Sequence, residues 1–353
     1  MVWFKASDDC LYDRNGEDTV TLMRLMMDHP TTLVFDTVSD DEGTPYKITL
    51  INDRVLLDSA IQNLTLTNVI NIPGGTFSGN TALQYISLPS ITYLHPGIFS
   101  GCTSLSEVSI PNLLAVPDDA FNMCGLLQTI SFPNATTVGN SSFDRCSSLR
   151  IVSLPNAMTV GIQSFYRCLS LTSVSLPNVT NIGELAFATD AGASNQLHTI
   201  NGTGTTNNVY IPKIRTIGFA AFLFNTLVSV HFPPSIMEIG HVAFLKIEST
   251  PMDVFFYGQI PDIAIGDMKN RDNIFFDGCC FYRINPATGL LINDIATIHY
   301  YNEYQSSRLG ILAKTSILMD RPTIRSTSTT TLFQNTMYSG SGTIRNYRIK
   351  YKR

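Results

Sequence analysis

Hydrophobic positions along most of this chain recur at a long fixed interval. Phe77, Phe99, Phe121, Phe143, Phe165 and Phe187 stand 22 residues apart, and Phe222 and Phe244 resume that spacing. Leu83, Leu105, Leu127, Leu149 and Leu171 keep step with them, as do Ile86, Val108, Ile130, Val152 and Val174, and then Leu88, Ile110, Phe132, Leu154 and Leu176. Self-similarity at such a period predicts a solenoid, because one repeat cannot bury its apolar side alone and must stack on its neighbours.

Within each repeat the last two apolar rows alternate around Ser87, Ser109, Ser131, Ser153 and Ser175, a period of two that predicts a short half-buried strand. Pro89, Pro111, Pro133, Pro155 and Pro177 end that strand, since proline cannot donate to a ladder. Asn112, Asn134, Asn156 and Asn178 follow, and their amides are expected to bond the turn backbone. Gly139, Gly161, Gly183, Gly218 and Gly240 precede the Phe by four residues and are expected to permit a tight bend. Between Phe187 and Phe222 the interval grows to 35, and the surplus falls in a Gly/Asn/Thr-rich stretch expected to bulge as one loop.

The resulting consensus, L-x-x-V-S-L-P-N-x-x-x-(V/I)-G-x-x-(A/S)-F-x-x-C-x-S, resembles the BspA-like leucine-rich-repeat family from Ile61 to Leu318. Ile298 to Arg308 also looks like that family's closing strand and short helix. Thr67 stands in place of proline in the first coil, the register slips by one residue around Pro233 and Pro234, and Met252 to Pro286 keeps only the fragment Phe276 to Cys279. The resemblance implies a β-rich solenoid that serves surface adhesion or protein–protein interaction without a cofactor.

A solenoid exposes raw core at its ends unless something covers it. Residues 1–60 supply a candidate cap or docking segment. Asp18 is placed to N-cap a helix over Thr19–Asp28, and Thr31–Phe35 with Tyr46–Leu50 read as strands joined by the acidic loop Ser39–Thr44, giving a small α/β cap. The solenoid then occupies residues 61–320. Residues 321–353 form a basic extension without an acidic residue. Its Arg345, Tyr347, Arg348, Lys350 and Tyr351 interleave cations with aromatics, which suits a strand added to a neighbouring sheet edge. A solvated tail is the plainer alternative.

Composition narrows the partner. Only 14% of residues are charged and the formal net charge is −5, so the exposed surface is built from neutral polar groups and nucleic acid is not expected as a ligand. No run of 18 apolar residues occurs, and no basic segment followed by an apolar stretch opens the chain. A soluble protein without membrane insertion or export signal is the expectation.

Catalytic and metal motifs give little. Cys102, Cys124, Cys146 and Cys168 repeat every 22 residues, which sets them in a line, whereas a tetrahedral metal needs convergent ligands. Parallel side-chain vectors also disfavour disulfides along such a line, so a row of buried thiols is expected. The six histidines show no metal spacing, and no nucleophile elbow, phosphate loop or dinucleotide fingerprint is present. The sequons at Asn63, Asn134, Asn140, Asn178 and Asn201 are what so much Asn, Ser and Thr produces by chance.

The candidate contact surface is therefore the outward strand positions. Tyr85 and Ser87, Glu107 and Ser109, Thr129 and Ser131, Ile151 and Ser153, and Ser173 and Ser175 form a nearly neutral, hydroxyl-lined strip, and His231 falls where other coils place the serine. A non-enzymatic scaffold presenting this strip to a protein or glycan, at a cell surface, is the expected function. A virion component such as a phage fibre or decoration protein, docked through its terminal segments, is the alternative. An uncharacterised enzyme is a third.

Overall fold

The computed structural model describes residues 10–25, 31–52, 55–56, 60–190, 196–197, 199–201, 208–227, 229–240 and 243–244, together with the backbone of the strands 3–5, 252–256, 282–284, 290–293, 295–300, 336–339 and 343–345. The backbone forms two compact units, Met1–Leu171 and Thr172–Arg353. Both are strand-rich, and no helix occurs among the described residues.

In the first unit the serine-containing segments form parallel strands, one per coil. Thr32–Phe35, Asn63–Leu66, Tyr85–Ser87 and Glu107–Ser109 pair in register, so Leu64, Ile86 and Val108 share one row and Thr65, Ser87 and Ser109 another. Thr129–Ser131 pairs likewise with Ile151–Ser153. On the other side of each coil, Thr137–Val138 pairs in parallel with Thr159–Val160. Both sheets turn their aliphatic residues inward, and Leu64, Ile86, Ile130, Val138, Val152 and Val160 are buried between them.

The phenylalanine row closes the third side. Phe77, Phe99, Phe121, Phe143 and Phe165 are each at most 1% exposed. Successive rings stack at centroid separations of 5.2, 5.2, 5.3 and 5.1 Å, tilted by no more than 13°. Around this row the backbone bonds from coil to coil. Asp119, Phe121 and Met123 donate their amides to the carbonyls of Asn140, Ser142 and Asp144 in the next coil at 2.8–2.9 Å. Ser141, Phe143 and Arg145 repeat the pattern one coil further on, to Ile162, Ser164 and Tyr166. To aim every second amide the same way, the residues two before and two after the phenylalanine take left-handed backbone. Gly75, Gly97, Gly79 and Gly101 do so in the first coils, and Asp119, Met123, Ser141, Arg145, Gln163 and Arg167 in the later ones. For a residue with a Cβ that conformation costs about 1–2 kcal/mol, which the added hydrogen bonds offset.

Two row assignments differ from expectation in an informative way. The amides of Asn112, Asn134 and Asn156 donate to the carbonyls of Pro89, Pro111 and Pro133 at 2.7–3.0 Å, so each asparagine ties its turn to the preceding coil instead of closing its own. The glycines before the phenylalanines serve close approach, not a bend. A Cβ on Gly161 would lie 2.6 Å from the carbonyl carbon of Gly139, and one on Gly139 would lie 2.5 Å from the amide nitrogen of Asp118. Adjacent backbones touch at this row.

Residues 10–51 depart from the expected α/β cap. Thr19–Arg24 is a strand, paired antiparallel with Leu11–Arg14 and parallel with Pro45–Ile51. Its Val20 and Leu22 are buried while Thr19 and Thr21 are only half so. The alternation and the β-branched Thr-Val-Thr run outweigh the helix-capping signal of Asp18. The two expected strands are present but lie in different sheets, since Thr32–Phe35 joins the solenoid ladder and Pro45–Ile51 pairs with Thr37–Ser39 across the acidic turn. Asp40 organises that turn, accepting the amides of Thr44 and Glu42 at 2.9 and 3.1 Å and the guanidinium of Arg14 at 2.7 Å. The bond from the Thr44 amide, with help from Tyr46, Glu42 and Arg14, holds its carboxyl below the ordinary carboxylate range.

The second unit repeats the scheme with one insertion. Ser173–Ser175, Thr199–Ile200, Asn208–Tyr210, Ser229–Phe232, Met252–Phe256 and Ile295–Tyr300 are successive parallel strands. On the opposite side Asn181–Ile182 pairs directly with Thr216–Ile217, and that with Glu238–Ile239. Phe187 likewise stacks directly on Phe222 at 5.3 Å. The long interval is thus more than a bulging loop: it adds a rung, with buried Leu197 and Ile200, to one sheet, while the opposite sheet and the phenylalanine row continue directly across it. Asn201, in left-handed conformation, holds the new rung on both sides, accepting the Leu176 amide at 2.5 Å and donating to the Tyr210 carbonyl at 3.0 Å. Ile295–Tyr300 supplies the closing strand, while the short helix expected after it lies outside the described residues.

Phe121→Ala should lower stability by about 3–5 kcal/mol in urea denaturation, because the emptied site is walled by rings and rigid backbone that cannot collapse into it. Gly161→Ala should also destabilise, by about 1–3 kcal/mol, since backbone must move to admit the methyl group. The half-exposed Met123 has the opposite sign: Met123→Gly should stabilise by about 0.5–1 kcal/mol by relieving its left-handed strain. A destabilising Met123→Gly in the same denaturation series would contradict that account of the corner.

Candidate interaction surface

The groups able to do chemistry are mostly buried in rows. Cys102, Cys124, Cys146 and Cys168 are free thiols, at most 4% exposed. Each donates its S–H to a carbonyl of the preceding coil, those of Phe77, Phe99, Phe121 and Phe143, at 2.9–3.1 Å. The expected row of reduced core thiols is what the structure contains. Burial pushes the Cys102 thiol up to about 12, and those of Cys124, Cys146 and Cys168 also well above the ordinary thiol range. A thiol that cannot ionise is a poor nucleophile and a poor metal ligand. Asn80 takes the thiol's place in the first coil and caps the turn there, accepting the amides of Ala82 and Leu83.

Asp144 is a buried carboxylate, raised by desolvation and countered by Arg145 and Arg167. The Arg145 guanidinium stands 3.9 Å from its carboxylate. No cluster of three or more His, Cys, Asp or Glu with metal-binding geometry occurs among the described residues. No helix among them is long and apolar enough to cross a membrane.

What reaches solvent in order is the strand face. In the first unit Glu107, Thr129, Ser131 and Ile151 are exposed, and Tyr85, Ser87, Ser109 and Ser153 half-exposed. Parallel register aligns Tyr85 with Glu107, Thr65 and Ser87 with Ser109, Thr129 with Ile151, and Ser131 with Ser153. Thr32 and Val34 extend the two rows at one end, Val34 being 66% exposed. In the second unit Ser173 and Ser175 are half-buried, Ser173 stands beside Thr199, and His231 lies on the outward row. Edge-on to His231 is Tyr210, with ring centroids 6.5 Å apart and planes at 89°.

Tyr210 was not among the residues the strip suggested, because the insertion hides the phase of its coil. Its local signal is nevertheless present: Val209-Tyr210-Ile211-Pro212 has the form V-S-L-P with the serine replaced. Of the basic extension, Thr336–Ser339 and Thr343–Arg345 form an antiparallel pair, and Leu290–Asn293 pairs with Thr336–Ser339. Arg345 sits opposite Met337 in this sheet, so that strand is added within its own chain. Tyr347, Arg348, Lys350 and Tyr351 lie outside the described residues.

Stacked parallel strands on a 22-residue period, with Phe, Cys and Asn each repeated in line, are matched by the family model described as the BspA type leucine rich repeat region, in 6 copies over residues 43–124, 70–194 and 198–264. The chain belongs to the BspA-type leucine-rich-repeat family. A comparison with curated proteins finds no match. Among solved structures, this BspA-type chain is similar to a leucine rich cell surface protein from Faecalibacterium prausnitzii A2-165, with 19% identity, a TM-score of 0.49, and 74% of this chain and 79% of that one covered. A leucine-rich repeat protein from Bacteroides ovatus is similar at 16% identity and a TM-score of 0.33, covering 72% and 88%. The leucine rich repeat protein of T. pallidum is similar at 17% identity and a TM-score of 0.28, covering 70% and 82%.

Thiol labelling tests how tightly the BspA-type rows are packed. At pH 8 an alkylating reagent should leave Cys102, Cys124, Cys146 and Cys168 unmodified in the native protein and modify all four after unfolding, as mapped by mass spectrometry. Native labelling of Cys146 would show that the coils open locally.

Proposed function

We propose that this protein is a non-enzymatic interaction scaffold at a cell surface, and that the outward strand face is where its partner binds. The observation that carries the reading is the in-register alignment of outward side chains across consecutive coils, with half-exposed Thr65, Ser87 and Ser109 on one row and half-exposed Tyr85 and exposed Glu107 on the row beside them. Buried rows of core residues, among them the four thiols, turn inward from this face and leave its outward positions open to a ligand. Rigid strands also suit binding, because little side-chain or backbone freedom is lost when a partner docks. Many short hydroxyl contacts, each weak alone, then add along the row for a protein or glycan partner.

The same surface can be tested directly. A photocrosslinking residue placed at Ser109 or Ser131 should give a discrete adduct with the partner, while the same residue at Thr159, on the opposite sheet, should not. Ser109→Arg combined with Ser131→Arg should weaken retention of that partner at least tenfold, with thermal stability unchanged. Equal labelling from both sheets would overturn the assignment of the strand face.

A further inference from the structure

One corner of the first unit carries acceptors without donors. Phe121 and Met123 donate their amides to the carbonyls of Ser142 and Asp144 at 2.8 Å each, which sets Asn122 directly beside Asp144, one rung away. The two side chains therefore leave equivalent points of adjacent coils. Asn122 donates its side-chain amide to Asp119 at 3.0 Å, and that bond fixes which way its carboxamide is turned. Its Oδ1 is buried without a hydrogen-bond partner, and so is Oδ1 of Asp144, a residue only 8% exposed. Buried acceptors left without donors are costly, and here two of them stand on neighbouring rungs.

The charged groups around Asp144 do not supply the missing donor. The Arg145 guanidinium approaches the other carboxylate oxygen at 3.9 Å, beyond hydrogen-bond reach, and is 47% exposed, so solvent screens it. Burial has the largest effect on the carboxyl and raises it above the ordinary aspartate range; Arg145, Arg167 and the Arg145 amide pull it down, while Asp119 adds to the rise. The thiols of Cys146 and Cys168, which also sense this carboxylate, are held protonated by burial and bring no charge against it.

We propose that Asp144 is a proton-operated latch between two coils: when its carboxyl is protonated, the O–H donates to Oδ1 of Asn122, and one proton gives both orphan oxygens a partner. Equivalent points on neighbouring rungs lie ~4.8 Å apart, and a side-chain torsion closes that gap to an O–H···O contact of about 2.7 Å. Without the proton, carboxylate and carboxamide turn lone pairs toward each other and the contact is repulsive. Below the ordinary aspartate range the folded and unfolded chains both carry the proton; between that range and the raised value only the folded chain does. The stability contributed by the latch is therefore full below the ordinary range and is lost as pH rises through the folded value. Coil grips coil more firmly at this corner in mildly acidic surroundings than in neutral ones.

Carbon-13 NMR titration of the aspartate carboxyls in the full chain, together with amide hydrogen exchange at Met123, tests the latch. Asp144 should titrate above the ordinary aspartate range, and Asn122→Ala should bring it down, because the protonated form loses its acceptor and the ionised form a repulsive neighbour. Should Asn122→Ala fail to fold by circular dichroism, Asn122→Ser replaces it, since Ser78 and Ser100 hold this position in the two preceding coils. Exchange at Met123, corrected for its intrinsic pH dependence, should slow between pH 7.5 and pH 5, by about tenfold for each unit that the folded carboxyl lies above its unfolded value. Asp144→Asn should abolish that dependence, its carboxamide being neutral throughout and offering an N–H in place of the O–H. An Asp144 carboxyl in the ordinary range, one unmoved by a folded Asn122 variant, or the same pH dependence at Met123 in the parent and in Asp144→Asn would each overturn the proposal.

Discussion

The corners around Phe99, Phe121 and Phe143 depend on their neighbours for part of their hydrogen bonding. The amides of Phe99, Phe121 and Phe143, and of the residues two before and two after each, find their acceptors in the next coil, the thiols and asparagine amides find theirs in the preceding one, and the backbones meet where a Cβ would not fit. Stacking is therefore a hydrogen-bonding requirement as much as a hydrophobic one. A buried amide without an acceptor costs about 1–3 kcal/mol, and each corner carries several, so an isolated coil would have no reason to hold this shape. The left-handed residues, the glycine row and the planar alignment of the rings all follow from that requirement. They are ways of bringing one backbone against another with its donors aimed along the stack.

Those rows explain how much could be read from the chain. Phe, Leu, Val and Cys at a fixed period announce stacked coils because each position meets its own counterpart, and identical environments select similar residues. The direction of an interaction is not written in a period. Asn134 looks the same whether its amide closes its own turn or reaches Pro111, and Gly161 looks the same whether it bends the chain or admits Gly139 beside it. The helix expected over residues 19–28 failed for a different reason: Asp18 is a good cap, but Val20 and Leu22 alternate, and burial on one side of a sheet decides the conformation. The extra rung was also legible in retrospect, since Leu197 and Ile200 keep the spacing of Leu171 and Val174. It was obscured by the polar stretch around it.

The outward face carries the opposite lesson. Inward positions are constrained by their neighbours above and below, whereas outward ones vary freely from coil to coil, as Tyr85, Glu107, Thr129 and Ile151 illustrate. On the proposed reading the ligand meets the positions where periodicity is weakest, so the repeat that identifies the fold says little about the ligand. What the structure adds is register. It shows which irregular residues fall on one line, and that is how Tyr210 and His231, distant from the serine pattern, come to be neighbours.

The rung at Thr199–Ile200 is, in the language of crystals, an edge dislocation: an extra half-layer that enters one side of the stack and ends before the other. A defect of that kind displaces the two faces by one repeat. From Ser173 to Ser229 a ligand lying on the strand face passes two intervening rungs, while one on the opposite face passes a single rung between Asn181 and Glu238. The two faces of the second unit thus keep different rulers. A polymer whose own period matches one of them will fall out of step with the other, and the difference in count fixes where along the stack that happens.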